Sequence, residues 1–203
     1  MIRNKAELKF YIMADYMMNR GYFKPSITRR LINIISPDYI MQFLTTMRKL
    51  DYHLTRGNNK LAIFFYRLRY NKLSLRLGFS IGPQVFGYGL VIPHYGTIVV
   101  GETNRCGNYC VLHTSTCISG NGKVIGDALY LATGAKMTTN LSLGNNVMIG
   151  ANSLVNKSFP GGIMIAGAPA REINRRDAWY IEENSVHKTR FASIEKLKLK
   201  MKI

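Results

Sequence analysis

The sequence predicts an α+β fold: an N-terminal α-helical region, then a parallel β-helix, then a C-terminal helix or tail. Two observations predict it. Residues 1–75 hold 14 basic and 4 acidic residues, with apolar side chains at helical spacing. Residues 76–170 hold only 5 basic and 2 acidic residues, and an apolar residue recurs every six positions. We therefore expect a helical domain over 1–77, a β-helix domain over 78–173 and a basic extension over 174–203.

Two capping patterns predict the first two helices. Asn4 followed three residues later by Glu7 resembles a capping box, and apolar residues follow it at helical spacing. Ser26 is expected to cap a short second helix that runs through about Ile35.

Proline and glycine delimit the next two helices. Ser36 before Pro37 predicts a cap followed by proline at the first helical position, and Gly57 predicts the end of that third helix. A fourth helix is predicted over about 60–76, with Gly78 after its end. Its apolar residues are Leu61, Phe64, Phe65, Leu68 and Leu75.

The centre of the chain has a six-residue period with one extra residue. The ten positions of this period are all apolar: Val100, Cys106, Leu112, Ile118, Ile125, Leu131, Met137, Leu143, Ile149 and Val155. Glycine follows five of them. Such a period predicts short strands joined at corners, with three strands in each turn of about 18 residues. The period-six side chains then stack inside a triangular coil, and glycine relieves the backbone at the corners.

The net charge of +17 raises the question of nucleic acid. The excess lies outside the repeat and no aromatic-rich binding motif accompanies it, so we expect no nucleic-acid partner. No segment reaches the roughly 18–20 apolar residues of a membrane helix, so a cytoplasmic protein is expected. Its basic regions are candidate contacts for the inner face of the membrane. Cys106, Cys110 and Cys117 lack zinc-site spacing, and no metal is expected.

Two segments carry a family resemblance. Residues 89–100 read GLVIPHYGTIVV and are followed by GET, and residues 149–173 contain the sequence AGAPAREI. Together they resemble the hexapeptide-repeat acetyltransferases, in particular serine O-acetyltransferases and their relatives in surface-polysaccharide gene clusters. The resemblance implies a left-handed β-helix, a homotrimer and acetyl-coenzyme A as co-substrate.

The resemblance assigns His94 as the general base. Acetyl transfer to a hydroxyl needs a proton acceptor with a pKa near neutrality, and donor and acceptor then react in one ternary complex. His113 follows 19 residues later, about one coil on, so the two are expected at the same edge. Whether His113 contacts the substrates or is only a surface residue stays open. His53 and His187 have no motif context and are interpreted as structural or exposed.

The resemblance also places coenzyme A along the β-helix between adjacent subunits. Small residues beside the pantetheine arm are expected at Gly134, Ala135, Ala151, Ala168 and Pro169. Lys157 or Arg171 is expected to meet a phosphate of the coenzyme. Tight coil packing is the alternative reason for the small residues.

The chain departs from the serine enzymes where those enzymes hold an amino acid. Pro93 stands where they have an aspartate, residues 80–83 lack a second aspartate, and residues 119–123 lack their arginine and histidine. We therefore expect an O-acetyltransferase that acts on a sugar hydroxyl in surface-polysaccharide biosynthesis. Serine O-acetyltransferase is the alternative, and a non-catalytic trimeric scaffold is a third hypothesis.

Overall fold

The computed structural model describes residues 1–120, 122–181 and 185–203. Four helices come first: α1 (Lys5–Arg20), α2 (Ile27–Ile35), α3 (Tyr39–Arg56) and α4 (Lys60–Leu77). A stack of short strands follows, and the chain ends in α5 (Val186–Met201). The predicted order of helices, β-helix and C-terminal helix is confirmed.

The strands form three sheets, which are the three walls of a triangular prism. Sheet A contains β1 (Phe79–Ile81), β2 (Ile98–Val100), β5 (Thr116–Ile118), β8 (Lys136–Met137) and β11 (Leu154–Val155). Sheet B contains β3 (Arg105–Cys106), β6 (Val124–Ile125) and β9 (Ser142–Leu143). Sheet C contains β4 (Val111–Leu112), β7 (Tyr130–Leu131), β10 (Val147–Ile149), β12 (Ile163–Gly167) and β13 (Ala170–Arg175). Neighbouring strands pair in parallel except β12 and β13, which are antiparallel and close the stack.

The period-six residues form the interior of the prism, as predicted. All ten are buried, and each pairs with the residue one coil away. In sheet A, for example, Val100 lies beside Ile118, which lies beside Met137. The extra residue of the period falls between β5 and β6, and Cys106 still pairs with Ile125 across it. A local insertion at a corner therefore leaves the stacking intact.

The helix ends follow the predicted caps with one correction. The Asn4, Ser26, Gly57 and Gly78 caps are confirmed. Ser36, however, ends α2, and Asp38 caps α3 by accepting a hydrogen bond from the backbone N–H of Met41 at 3.1 Å. The Asp38 carboxylate also pairs with Arg20 at 2.6 Å, so this cap joins α3 to the end of α1.

The apolar residues of α4 divide unequally between the core and the surface. Tyr70, Leu73 and Leu77 are buried against α3 and the first coil. The five apolar residues singled out in the sequence, Leu61, Phe64, Phe65, Leu68 and Leu75, all lie exposed on the opposite side. Helical spacing thus identified the helix but not the face that packs.

Helices α1 and α5 cover the outer wall of sheet C. A second apolar cluster joins them through Phe10, Met18, Trp179 and Ile194 to the outward side chains Val91 and Val111. The sequence allows a helix or a tail at the lysine-rich end of the chain, and the structure shows a helix packed on the prism. Among the helices described, none has both the length and the apolar content that a bilayer crossing requires.

Candidate active site

The corners between sheets C and A form one continuous edge of the prism, which we call the histidine edge. Residues 92–97, 113–115, 132–135 and 150–153 are four of its corners, and each precedes a strand of sheet A or the equivalent position. Residues 166–169, at the turn between β12 and β13 of sheet C, continue the edge, where the Gly167 N–H donates to Ser153 Oγ at 3.2 Å. Backbone bonds tie successive corners together, such as Gly134 N–H to the Thr114 carbonyl at 3.1 Å. The edge carries both predicted histidines and most of the predicted coenzyme contacts.

Helix α1 holds the segment that leads into His94. The side-chain amide of Asn19 donates to the Leu90 carbonyl at 2.8 Å and accepts from the Ile92 N–H at 3.2 Å. One turn earlier, the Asp15 carboxylate accepts from the Leu90 N–H at 3.0 Å. Residues 90–92 therefore pair with side chains of α1, and the position of His94 depends on that helix.

A buried ion pair connects the same segment to α3. Arg48, which is 0% exposed, contacts Asp15 at 2.8 Å and donates to the carbonyls of Phe86 and Gly87 at 2.7 and 2.6 Å. A buried arginine is tolerated only when its charge and its donors have partners, and here the Asp15 carboxylate and the two carbonyls accept four N–H hydrogen bonds from Arg48. The network joins α1, α3 and the first coil into one rigid support.

The structure brings His94 and His113 together at adjacent corners, as predicted. His94 is exposed, and it makes no hydrogen bond to its own chain within residues 1–120, 122–181 and 185–203. His113 is partly buried, and its Nε2 lies 2.9 Å from the Tyr130 hydroxyl. Burial, together with the nearby charge of His94, lowers the pKa of His113, so His113 favours its neutral form at pH 7.

A cavity of about 630 Å³ opens beside His113, which we call the histidine cavity. Its floor is the outer wall of sheet C, and its sides are the end of α1, the start of α5 and the indole of Trp179. The described lining residues are Met18, Asn19, Arg20, Val91, Pro93, Val111, His113, Tyr130, Met148, Arg176, Trp179, Ser185, His187 and Arg190. An apolar floor with polar and cationic walls suits a small polar substrate.

Several lining residues carried no sequence signal. His187, interpreted as structural or exposed, packs its ring 4.9 Å from Trp179. Trp179 in turn donates its Nε1–H to the Tyr109 carbonyl at 2.9 Å. Both come from the C-terminal extension, about 70 residues after His113, and only folding brings them to the cavity. The six-residue period includes Leu131 and therefore marks Tyr130 as outward-facing, but it does not indicate its hydroxyl contact.

The small residues predicted for coenzyme binding lie along the histidine edge. Ala151, Ala168 and Pro169 are exposed there. Gly134 has a φ of 76°, and a Cβ at that position would lie 2.0 Å from Asn152 Oδ1, so it requires glycine for packing. Ala135 is 0% exposed and its methyl group faces the core, so its side chain has no access to a ligand.

The two predicted phosphate contacts lie in a separate cavity. Lys157, Pro169 and Arg171 line a space of about 480 Å³ at the C-terminal end of the prism. Within one chain this space and the histidine cavity share no described lining residue. One subunit thus presents the candidate base and the candidate phosphate contacts at different places along the prism.

The short stretch 119–123 lies at another edge. It follows β5 and precedes β6, so it is the corner between sheets A and B. Its Lys123 ammonium donates to the carbonyls of Ser119 and Gly120 at 2.9 and 2.7 Å. Asn121 is outside the described residues. Within one chain, residues 119–120 and 122–123 do not belong to the histidine edge.

A triangular parallel β-helix with a histidine edge defines the class: the chain has the fold of the hexapeptide-repeat left-handed β-helix acetyltransferases. No profile of a known protein family matches it. It is 34% identical over 109 residues to serine acetyltransferase of Synechococcus elongatus, covering 50% of this chain and 45% of that protein. It is 30% identical over 135 residues to the serine acetyltransferase of Staphylococcus xylosus, and the match covers 63% of this chain and 58% of that protein.

A solved structure agrees with these relatives. The structure of Neisseria gonorrhoeae serine acetyltransferase in complex with serine has a TM-score of 0.58 and 26% identity, over 81% of this chain and 66% of that one. The predicted resemblance to hexapeptide-repeat acetyltransferases is thus confirmed. The chain spans about half the length of the curated relatives it matches.

The expectation of a polysaccharide acceptor is wrong. Further curated relatives at 29–32% identity are also serine acetyltransferases, so the comparisons favour the alternative hypothesis. The three missing contacts do not exclude an amino-acid acceptor, because other side chains can hold a carboxylate. The described lining of the histidine cavity includes Arg20, Arg176 and Arg190.

Proposed function

We propose that this chain is a serine O-acetyltransferase that uses acetyl-coenzyme A. The adjacency of His94 and His113 on the edge that also carries Ala151, Ala168 and Pro169 is the observation that supports it. The serine acetyltransferase relatives support the choice of acceptor. The structure of the Neisseria relative in complex with serine supports an amino acid as ligand.

His94 is the proposed general base. Its imidazole takes the proton from the serine hydroxyl as that oxygen attacks the thioester carbonyl, and it returns the proton to the departing thiolate sulfur. Acetyl-coenzyme A supplies the activated acetyl group. Because donor and acceptor are held side by side, no acyl group needs to be attached to the enzyme.

His113 is the proposed second polar group at the reacting centre. Its lowered pKa keeps it neutral, so it can accept or donate a hydrogen bond without repelling a protonated His94. Tyr130 fixes its Nε2 through the 2.9 Å contact. We place the serine acceptor at the mouth of the histidine cavity, where cationic side chains such as Arg190 favour a carboxylate.

The coenzyme is proposed to bind along the histidine edge and to finish at the basic space near Lys157 and Arg171. The exposed small residues of the edge fit a pantetheine arm, and the two cations fit phosphates. The described residues hold no group of three or more side chains suited to bind a metal ion. We further propose a homotrimer, in which a neighbouring subunit completes the coenzyme site.

The test is acetyl transfer with a free-thiol readout. The full chain is expected to release coenzyme A thiol from acetyl-coenzyme A only when L-serine is present. His94→Ala should lower kcat by about 10²–10⁴-fold, which is the usual contribution of a general base. His53→Ala is the matched control, because His53 stacks on Tyr66 in the helical region, and it should leave kcat unchanged.

Two outcomes would contradict the proposal. One is thiol release that does not depend on L-serine across a panel of hydroxyl acceptors. The other is full serine-dependent activity in His94→Ala. Circular dichroism of the variant checks that the prism has folded, so that loss of activity is assigned to the missing imidazole.

A further inference from the structure

Helix α2 presents an unusually apolar face to solvent. None of its nine residues is buried. Ile27, Leu31, Ile34 and Ile35 are 78%, 61%, 75% and 90% exposed, and their spacing places them on one side of the helix. We call these four residues the α2 apolar face. Exposed apolar residues scattered singly are ordinary, but four on one short helix indicate a contact surface.

An apolar groove with a basic rim lies next to this helix. It has a volume of about 670 Å³ and lies between α1, α3 and the segment before α2. Its floor consists of Leu8, Ile12, Met13, Tyr16, Phe23 and Tyr52, and its cations are Lys5, Lys9, Lys24 and Arg30. The described lining residues include no carboxylate. Arg30 belongs both to the groove and to α2, so the two features adjoin.

We propose that the α2 apolar face and this groove form one docking surface for an anionic lipid bilayer. A bilayer interface accepts apolar side chains at the acyl boundary and attracts lysine and arginine to its headgroups. Both requirements are met here by adjacent residues. The surface also lies in the region 1–75, whose net charge is +10.

Charge argues against a second copy of the chain as the occupant. Arg30 flanks the α2 apolar face and lines the groove with Lys5, Lys9 and Lys24, and neither α2 nor the described groove lining holds a carboxylate, so two such surfaces brought together would place like charges side by side. An anionic surface removes that repulsion. The lipid proposal is independent of the acetyl transfer proposed above, because none of these residues lies on the histidine edge or in the histidine cavity.

Vesicle sedimentation of the full chain tests the proposal. Phosphatidylcholine vesicles containing phosphatidylglycerol, at about one lipid in three, are expected to sediment the protein. Pure phosphatidylcholine vesicles are expected to leave it in the supernatant, and added salt should weaken the binding. Serine acetyl transfer measured without vesicles should not change in the variants below, so failure of this proposal is distinct from failure of the proposed activity.

Two variants separate the apolar and charged contributions. Leu31→Gln with Ile35→Gln should weaken vesicle binding roughly tenfold, and so should Lys5→Gln with Lys9→Gln and Lys24→Gln. The controls are Leu75→Gln, a leucine that is 86% exposed on α4, and Lys196→Gln with Lys200→Gln and Lys202→Gln at the end of the C-terminal helix. Both controls should bind as the unchanged chain does.

Three results would overturn the proposal. They are no binding to the anionic vesicles, equal loss in the control variants, and unchanged binding in the α2 variant. Light scattering identifies the alternative occupant: if the α2 variant loses an oligomer but vesicles never bind, the face contacts a second copy of the chain.

Discussion

Asp51 shares one buried cation with Asp15. The Asp51 carboxylate accepts from the Gln84 N–H at 2.8 Å but lies 3.9 Å from the Arg48 guanidinium, whereas Asp15 contacts it at 2.8 Å. Burial raises the pKa of Asp51 to about 6, and the Arg48 charge only partly opposes this. The buried network of Asp15, Arg48 and Asp51, which holds the segment before His94, therefore contains a carboxyl group that titrates near pH 6.

The raised pKa predicts a pH dependence of stability. Between about pH 6 and pH 4 the folded chain binds a proton at Asp51 that the unfolded chain does not, so the Asp51 contribution to the free energy of unfolding rises as pH falls. The difference between pKa 3.8 and about 6 corresponds to roughly 3 kcal/mol. Urea unfolding at a series of pH values should therefore show a smaller gain on acidification in Asp51→Asn. The exposed Asp177→Asn serves as the control, and an unchanged slope in Asp51→Asn would contradict the assignment.

Individual site residues were less predictable from the sequence than the strands were. His94 was predicted because it lies in a recognisable segment, and His113 because it lies one coil later. Tyr130, Trp179 and His187 were not predicted, since each owes its place to contacts between distant parts of the chain. The roles of His94 and His113, and those of the coenzyme contacts, stay predictions.

At the scale of elements, α1 is the part that positions the candidate base. Its polar side chains face the segment 86–92, and this explains why a helix in the basic region carries Asp15 and Asn19 on a packed side. The helix therefore does more than add solvated charge. Its Asp15 and Asn19 side chains bind the backbone groups of Leu90 and Ile92, which a neighbouring strand would bind if another coil preceded this one.

Asn19→Ala is expected to loosen this contact. Two backbone groups, the Leu90 carbonyl and the Ile92 N–H, lose their partner, at a cost of about 1–3 kcal/mol. Chemical denaturation should show that loss, and serine acetyl transfer should fall severalfold in kcat because His94 is held less firmly. Asn140→Ala, at an exposed turn, should change neither quantity. If Asn19→Ala is destabilised but its kcat is unaltered, α1 contributes to the stability of the fold and does not position His94.

The strands were the most predictable elements and the helix faces the least. A period of six with all ten positions apolar leaves few alternatives, because each of those side chains must be buried. Helix α4 shows the opposite case. It has apolar residues on two sides, and only packing against α3 determines that Tyr70, Leu73 and Leu77 are the buried set. The division into three domains remains a prediction.

At the scale of the whole molecule, one subunit holds the candidate base and the candidate phosphate contacts apart. A prism has three walls, and here α1 and α5 cover the wall of sheet C. Helix α4 contacts β1, the first strand of sheet A, at the N-terminal end of the prism. A trimer whose three-fold axis runs parallel to the prisms and outside each of them would bring the edge of one subunit beside the basic space of another, which is the arrangement proposed above.

The trimer predicts a molecular mass of about 69 kDa, three times the chain mass of 23.0 kDa. Light scattering coupled to size exclusion measures it directly. A hexamer would still contain the trimer, whereas a monomer at micromolar concentration with full serine-dependent activity would contradict the shared coenzyme site.

The phosphate contacts predict a selective effect on the donor. Lys157→Gln with Arg171→Gln should raise the KM for acetyl-coenzyme A by roughly tenfold at unchanged kcat, since charged hydrogen bonds contribute about 1.5–3 kcal/mol each and exposure reduces this. Acetyl-pantetheine lacks those phosphates, so its KM should not respond. Lys188→Gln, exposed on α5, is the control. If the double variant raises the KM for acetyl-pantetheine as much as the KM for acetyl-coenzyme A, Lys157 and Arg171 do not contact the phosphates.

Local sequence patterns are enough to predict the β-helix, the order of the parts and the position of His94 in the chain. These follow from local pattern: a burial period of six, caps within four residues, and one recognisable segment. Three features follow only from the folded chain: which face of α4 is buried, the packing of α5 on the prism, and the placement of Tyr130, Trp179 and His187 around the histidine cavity. Those features depend on contacts between distant residues, such as the Trp179–Tyr109 and Tyr88–Glu195 hydrogen bonds at separations of 70 and 107 positions. No local pattern records which distant side chain will fill a given space.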